Sequence, residues 1–370
     1  MKKFLPIILL NFIVFFLLNN ATTIAQNTDD LNLGAMVQPV PFANRFLDSN
    51  YNIWCGSVCK GDNGKYYLFY SRWPKKDGHY AWVIKSEIAL AVADKPSGPY
   101  KHLKVVLPAR GNQYWDGTTT HNPTIMRFKG KYYLYYMGTH ATVNIKLPTT
   151  MQNKDWWEYR NNQRIGVAVA DKPEGEWKRF DKPIIDASTD STAFDALLVT
   201  NPAATVDKKG KVVLVYKEVA KNGTFKGGKV RYGVATSNSP IGDFVKQPKP
   251  IFEKSDGQKD WMIAEDPFLC YYQNKFYAIV RDVVGKFTGD AGAWALLQSD
   301  NGIDWNESKN PKVITSRIEW EDGTKATSQL ERPCLLIEKD KPTYLFGAYP
   351  MDPKRNWSCN VAVPLKAIVK

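Results

Sequence analysis

His121-Asn122-Pro123, then Tyr132-Tyr133-Leu134-Tyr135-Tyr136, then Ile165-Gly166-Val167-Ala168-Val169 make up one unit of a pattern that runs five times along the chain. Each unit holds a short apolar strand with a turn-breaking residue near its start, an aromatic or branched second strand, and a Gly/Ala-Val-Ala-like third. The first strands carry Cys55-Gly56-Ser57, His121-Asn122-Pro123, Thr200-Asn201-Pro202, Glu265-Asp266-Pro267 and Glu331-Arg332-Pro333. Second strands recur at Tyr66–Tyr70, Tyr132–Tyr136, Val212–Tyr216, Phe276–Val280 and Tyr344–Gly347, and third strands at Ile88–Val92, Ile165–Val169, Tyr232–Ala235, Trp294–Leu297 and Asn360–Val363. From Pro123 to Pro202, Pro267 and Pro333 the steps are 79, 65 and 66 residues, enough for one four-stranded sheet per unit. The expected fold is all-β, a five-bladed β-propeller.

Composition sets the outer limits. Lys2-Lys3, an apolar run from Phe4 to Leu18 and a small-residue exit at Thr23-Ile24-Ala25 read as a secretory signal over residues 1–25, cleaved near Ala25. The run is shorter than the roughly 20 residues a spanning helix needs, so a secreted or periplasmic protein without stable membrane insertion is expected. Residues 26–50 form an N-terminal segment, whose apolar stretch Leu33–Pro41 is expected to supply the outer strand of the last blade. Residues 51–370 hold the propeller. The net charge of +13, or +11 without the two leading lysines, is spread over turns such as Lys208-Lys209. That scatter argues against a nucleic-acid partner and leaves open an acidic one. Five cysteines (Cys55, Cys59, Cys270, Cys334, Cys359) read as buried thiols, and none has zinc-site spacing.

Polar turns such as Asp94-Lys95-Pro96-Ser97-Gly98 and Asp171-Lys172-Pro173-Glu174-Gly175 close the third strands by ordinary turn chemistry. Two insertions break the rhythm, Arg72 to Ser86 and Thr139 to Arg164. Both follow a second strand, where loops of a rigid scaffold carry specificity.

In a propeller, first strands line the central channel, and their starts open on the same face as the ends of the second strands. That face collects Trp54, His121, Asn122, Asn201, Glu265, Asp266, Glu331 and Arg332 from first strands. Second strands add Arg72, His140, Lys217, Glu218, Arg281 and Asp282. Asp116, Asp195 and Asp260 each stand six residues before the channel Asn or Asp, either as loop grammar or as functional acids. Carboxylates gathered in a pit rimmed by Trp and Tyr are what cleavage of a glycosidic bond requires. One acid protonates the leaving oxygen and one carboxylate attacks or activates water, and crowding separates their pKa values.

On Asp266-Pro267 and Glu331-Arg332-Pro333, which fall on consecutive blades, the chain resembles the five-bladed glycosidases of glycoside hydrolase family 43 and its relatives in families 32 and 117. The resemblance covers Tyr51 to Lys370. It implies Glu331 as general acid and Asp266 as the group that orients it. The family's base Asp lands on Asn122, an amide that cannot take a proton, so Asp116 or Asp195 is expected to act as base, or Glu265 to pair with one of them, or hydrolysis to be lost. Trp54, Arg72, His121, Asn122, Asn201, Lys217, Arg281, Asp282 and Arg332 are expected to bind an oligo- or polysaccharide substrate, with an acidic one left open. Arg72, Lys217, Arg281 and Arg332 also resemble the phosphate site of family 130 mannoside phosphorylases, and a sugar-binding propeller without catalysis is the third reading. No cofactor is expected, and calcium near His121 in the channel is the one metal left open.

Overall fold

The computed structural model describes Met1 and residues 31–254, 256 and 260–367. The signal reading, at residues 2–25, lies outside them. Among the described residues no helix is long and apolar enough to cross a membrane.

Five four-stranded antiparallel sheets make the blades. Blade I holds β2 (Tyr51–Lys60), β3 (Tyr66–Pro74), β4 (Glu87–Ala93) and β5 (Lys101–Leu107). Blade II holds β6 (Thr119–Phe128), β7 (Lys131–Thr139), β8 (Arg164–Ala170) and β9 (Lys178–Arg179). Blade III has β10 (Leu198–Val206), β11 (Val212–Val219), β12 (Val230–Ser237) and β13 (Val245–Lys246). Blade IV has β14 (Ala264–Tyr272), β15 (Lys275–Asp282), β16 (Trp294–Ser299) and β17 (Asn306–Ile314). Blade V combines β18 (Glu331–Glu338), β19 (Lys341–Pro350) and β20 (Ser358–Pro364) with β1 (Arg45–Phe46) from the start of the chain. First strands touch in the cycle β2, β6, β10, β14, β18 and back to β2, which closes the five-bladed ring.

The strand completing blade V lies just downstream of the apolar run Leu33–Pro41. Arg45 pairs with Val361 and Phe46 with Asn360, while Val37 makes only an isolated bridge to Leu365. Pro39 and Pro41 have no N–H to give a ladder, which excludes a longer strand there.

Second strands are buried on both faces because each blade is sandwiched between two others. Tyr132–Tyr136 is buried throughout, and so is Val212–Tyr216. Unbroken apolar runs, rather than alternation, are the mark of such strands. Each junction between blades owns one apolar cluster. Leu68, Tyr70, Phe346 and Ala362 join V to I, Phe69, Leu90, Leu134 and Tyr136 join I to II, and Tyr135, Val167, Leu214 and Tyr216 join II to III. Val215, Val234, Ala278 and Leu297 join III to IV, while Tyr277, Trp294, Leu345 and Val363 join IV to V, where Leu33 and Met36 also pack.

The glycines of the third strands are required by this packing. Trp115 stacks on Tyr136 with ring centroids 5.6 Å apart, directly over Gly166. A Cβ there would lie 2.5 Å from the indole of Trp115 and 3.1 Å from Cζ of Tyr136. Gly166→Ala is expected to lower stability by about 1–3 kcal/mol through overpacking. Gly242→Ala, with nothing within 4 Å of its added carbon, should stay within about 0.5 kcal/mol. Urea midpoints of the two variants check this, and equal midpoints would contradict it.

Candidate functional site

Every first strand breaks its ladder at the same place. Pairing skips between Trp54 and Ser57, His121 and Thr124, Thr200 and Ala203, Glu265 and Phe268, and Glu331 and Cys334. The bulged residues are Cys55, Asn122, Asn201, Asp266 and Arg332, all left-handed with φ of 53, 54, 51, 56 and 58°. Such a bulge re-aims one side chain and leaves its neighbour unpaired, which is why proline follows at four of the five positions. Asn and Asp tolerate the left-handed region best, so Cys55 and Arg332 hold it at greater cost.

These five side chains face one another in the channel. The Cys55 thiol donates to Asn122 Oδ1 at 2.9 Å, Asn122 Nδ2 to Asn201 Oδ1 at 2.5 Å, and Asn201 Nδ2 to Asp266 Oδ1 at 3.0 Å. From the other side Arg332 Nη1 reaches the same oxygen at 2.7 Å. Burial pushes the Cys55 thiol up to about 12, so it stays a donor. Every bond of the chain thus points toward Asp266. Burial pushes that carboxyl up to about 6, with Glu265 adding to the rise and Arg332 opposing it. Its second oxygen, Oδ2, is buried and without a partner.

One residue earlier lies a second ring: Trp54, His121, Thr200, Glu265 and Glu331. Their cross-strand neighbours are Ser71, Met137, Lys217, Arg281 and Ala348. Across blades III to V this register carries a row of alternating charge. Lys217 binds Glu265 Oε1 at 2.7 Å, Arg281 binds Glu265 Oε2 and lies 3.7 Å from Glu331, and Arg355 binds Glu331 Oε1. Burial works against ionising Glu265, but Lys217, Arg281 and Arg332 outweigh it and hold the carboxyl far below its usual range. One oxygen each from Glu265, Asp266 and Glu331 lies within 4.8 Å of the others. A divalent ion on this trio would have to displace the guanidinium groups of Arg281, Arg332 and Arg355.

Opposite the charged row the rim is aromatic. Trp54 packs against Trp73 and His79, and Trp82 stacks on His121 at 5.0 Å. Burial, then Arg355, pushes His79 down to about 4, while burial drives His121 far below its ordinary value. His121 Nδ1 is engaged by Ser86 Oγ at 2.7 Å. The two insertions wall this side. α1 (Trp82–Lys85) packs on α2 (Lys154–Asn161), Trp156 Nε1 donates to Tyr80 O, and Arg160 and Asn161 bond to the carbonyls of Lys226 and Phe225 in blade III.

Strand parity separates the remaining expected residues. Lys217 and Arg281 point to the channel mouth, whereas Arg72, Glu218 and Asp282, each one residue further, point to the opposite face. Arg72 pairs with Glu87 at 2.9 Å and lies over Tyr51. Asp282 accepts the backbone N–H groups of Lys286, Phe287 and Thr288. Asn122 and Asn201 serve as links of the channel chain. Asp116 is bound by Arg110, Arg179 and Tyr136, and Asp195 by Lys246, with Arg179 and Lys246 supplied by the outer strands of blades II and III. Asp260 lies 4.0 Å from Lys286. Sequence reading passed over Cys55, His79 and Arg355 as site residues. The trio Cys55-Gly56-Ser57 sets Gly56 against Asn122, so a one-residue offset hides Cys55 as the structural counterpart, and nothing in the repeat marks His79 or Arg355. All five cysteines are free thiols.

No protein-family profile matches the chain, and no curated protein matches it by sequence. Solved structures do. The fold is similar to that of a family 117 glycoside hydrolase produced by the marine bacterium Zobellia galactanivorans, with TM-score 0.60 and 16% identity over 90% of this chain and 92% of that one. It is also similar to a GH43_1 enzyme from Xanthomonas citri, with TM-score 0.58 and 15% identity over 91% and 92%. An endo-arabinase from Bacteroides thetaiotaomicron follows at TM-score 0.53 and 13% identity over 89% and 98%. At these identities the likeness carries the architecture, which is the one the Asp266-Pro267 and Glu331 resemblance implied.

Two measurements probe the electrostatics. Arg332→Met removes the direct cationic partner of a buried carboxylate and should cost about 3–5 kcal/mol, and adding Asp266→Asn should recover much of that. Glu218 is buried, and burial followed by Asp195 pushes its carboxyl up to about 8. Unfolded, it ionises from its ordinary value of 4.5. Between these values the folded protein binds the extra proton, so Glu218 makes stability fall as pH rises from 5 to 8. Glu218→Gln should remove that slope, its advantage growing by up to about 1.4 kcal/mol per pH unit, read from urea midpoints at pH 5, 6.5 and 8.

Proposed function

We propose that the chain is an exported glycoside hydrolase that cleaves a glycosidic bond at the channel mouth between blades IV, V and I. The observation that carries this reading is the meeting of Glu265, Asp266 and Glu331, from two different sheets, within 4.8 Å, with Arg355 reaching from Glu331 to the Trp54 ring, on a fold shared with glycoside hydrolases. Glu331, which Arg355 links to the exposed end of the row, is the general acid. Asp266 is sealed beneath it, with a side chain 1% exposed, and acts by orienting the carboxylates above rather than by touching sugar. Glu265 is the carboxylate kept ionised, which suits a nucleophile or a stabiliser of an oxocarbenium-like transition state.

Phosphorolysis has less support. Arg72 faces away, and Lys217, Arg281 and Arg332 are each committed to a carboxylate, so these four do not form a free cluster for phosphate. A glycan-binding propeller without catalysis is favoured by one fact, the ion pairing of all three carboxylates. Export rests on the charged and apolar leader at residues 1–25.

A panel of plant and algal oligosaccharides tests the assignment. Glu331→Gln and Glu265→Gln should each lower kcat by about 10²- to 10⁴-fold, while Asp195→Asn should show mainly as a lower Tm. Full turnover in Glu331→Gln would remove the site, and binding without turnover in the wild type would favour the glycan-binding reading.

A further inference from the structure

Four cations, Lys217, Arg281, Arg332 and Arg355, meet three carboxylates, Glu265, Asp266 and Glu331, at the channel mouth. The cluster carries one more cation than carboxylate, and Arg355 is its cation most open to solvent. Side chains of Lys217, Arg281 and Arg332 are 11, 13 and 17% exposed, against 37% for Arg355. Arg355 stands on the loop between β19 and β20. Its guanidinium lies 5.7 Å from the ring centre of Trp54 while it binds Glu331. Asp352 fixes the loop by accepting the backbone N–H groups of Lys354, Asn356 and Trp357, and Arg355 itself is left-handed at φ 57°. A fixed backbone therefore carries a half-free guanidinium to the point where the aromatic rim meets the acid.

We propose that Arg355 determines specificity by reading an oxyanion, the carboxylate of a uronic acid or a sulfate ester, on the sugar that sits against Trp54 and Glu331. This rests on the sugar-processing reading of the same site. A neutral sugar leaves the extra charge unmatched, whereas a carboxylate or sulfate matches it with the paired N–H groups that a guanidinium presents. His79, the nearest titratable neighbour on the rim, is neutral near pH 7 and adds no competing charge. Lys217 and Arg281 are already held by Glu265, so the exposed end of the row is where an incoming anion finds a partner.

Calorimetric titration with three oligosaccharides that differ only at the terminal residue, bearing a hydroxymethyl, a carboxylate or a sulfate ester, tests this. The wild type should bind one anionic form about tenfold or more tightly than the neutral form, and which form wins identifies the anion. Arg355→Gln should erase that preference, Arg355→Lys should keep part of it, and Lys354→Gln, which removes equal charge from the adjacent residue, should keep it whole. Circular dichroism melts establish that each variant is folded, and should Arg355→Gln not fold, Arg355→Lys decides through the size of its remaining preference. Equal binding of all three sugars, a preference that survives Arg355→Gln, or competition by free sulfate as strong as the sulfated sugar would overturn the proposal. Cleavage assays on the same three sugars separate the two claims. Arg355-dependent binding without cleavage sinks the hydrolase reading alone, and cleavage without anion preference sinks only the role of Arg355.

Discussion

Asp266 receives hydrogen bonds on one oxygen from two directions, through the amides of Asn122 and Asn201 on one side and from Arg332 on the other. That convergence depends on one backbone device repeated five times, a left-handed residue at a bulge in each first strand. Without the bulge, a channel strand would alternate its side chains between the two neighbouring blades. With it, one side chain per blade turns to the axis, and groups from distant parts of the chain bind one another. The strain of five left-handed residues, two of them of unfavourable type, is concentrated where the site is built, as strained backbone commonly is.

The architecture was legible because repetition multiplies a weak signal. One Asn-Pro before an aromatic run says little, but five trios at near-constant spacing specify five sheets. In four of the five trios the middle residue is the left-handed one, whereas in Cys55-Gly56-Ser57 it is the first, so four members of the channel ring could be read from the aligned repeat and the fifth sits one residue out of register. Parity was harder. Lys217 and Glu218 are neighbours, as are Arg281 and Asp282, and only the pairing of Thr200 with Lys217 and of Glu265 with Arg281 shows which of each pair turns inward. Asp116 and Asp195 looked equivalent to each other in sequence, and they are. What sequence could not show is that Arg179 and Lys246 wait on the outer strands to bind them. Arg355 was illegible for a different reason, since it belongs to a loop outside the repeat and matters only through where the ring places it.

Charge at the mouth obeys a simple balance. Burying a carboxylate is costly unless a cation comes with it, and each added cation must in turn be matched. Lys217, Glu265, Arg281, Glu331 and Arg355 satisfy this by alternating, and the row ends on the aromatic rim at Trp54. An alternating row also fixes geometry, because none of its three inner members can move without leaving two neighbours to like or unpaired charge. The two insertions complete the mouth by packing on each other and, through His79, Trp82 and Ser86, on Trp54 and His121 of the channel, so the rim of blades I and II is a wall of indole and imidazole.

Blade V draws on both ends of the chain. Its inner three strands come from residues 331–364 and its outermost from Arg45 and Phe46. Contacts separated by some three hundred residues form late, because loop closure must precede any reward. Blades I to IV have all their strands in hand as soon as their own segment is made, whereas Glu331 sits in the sheet whose last edge is sealed by the first strand of the chain. Glu331 thus reaches its partners from the one blade whose sheet is completed only when two segments far apart in the chain meet.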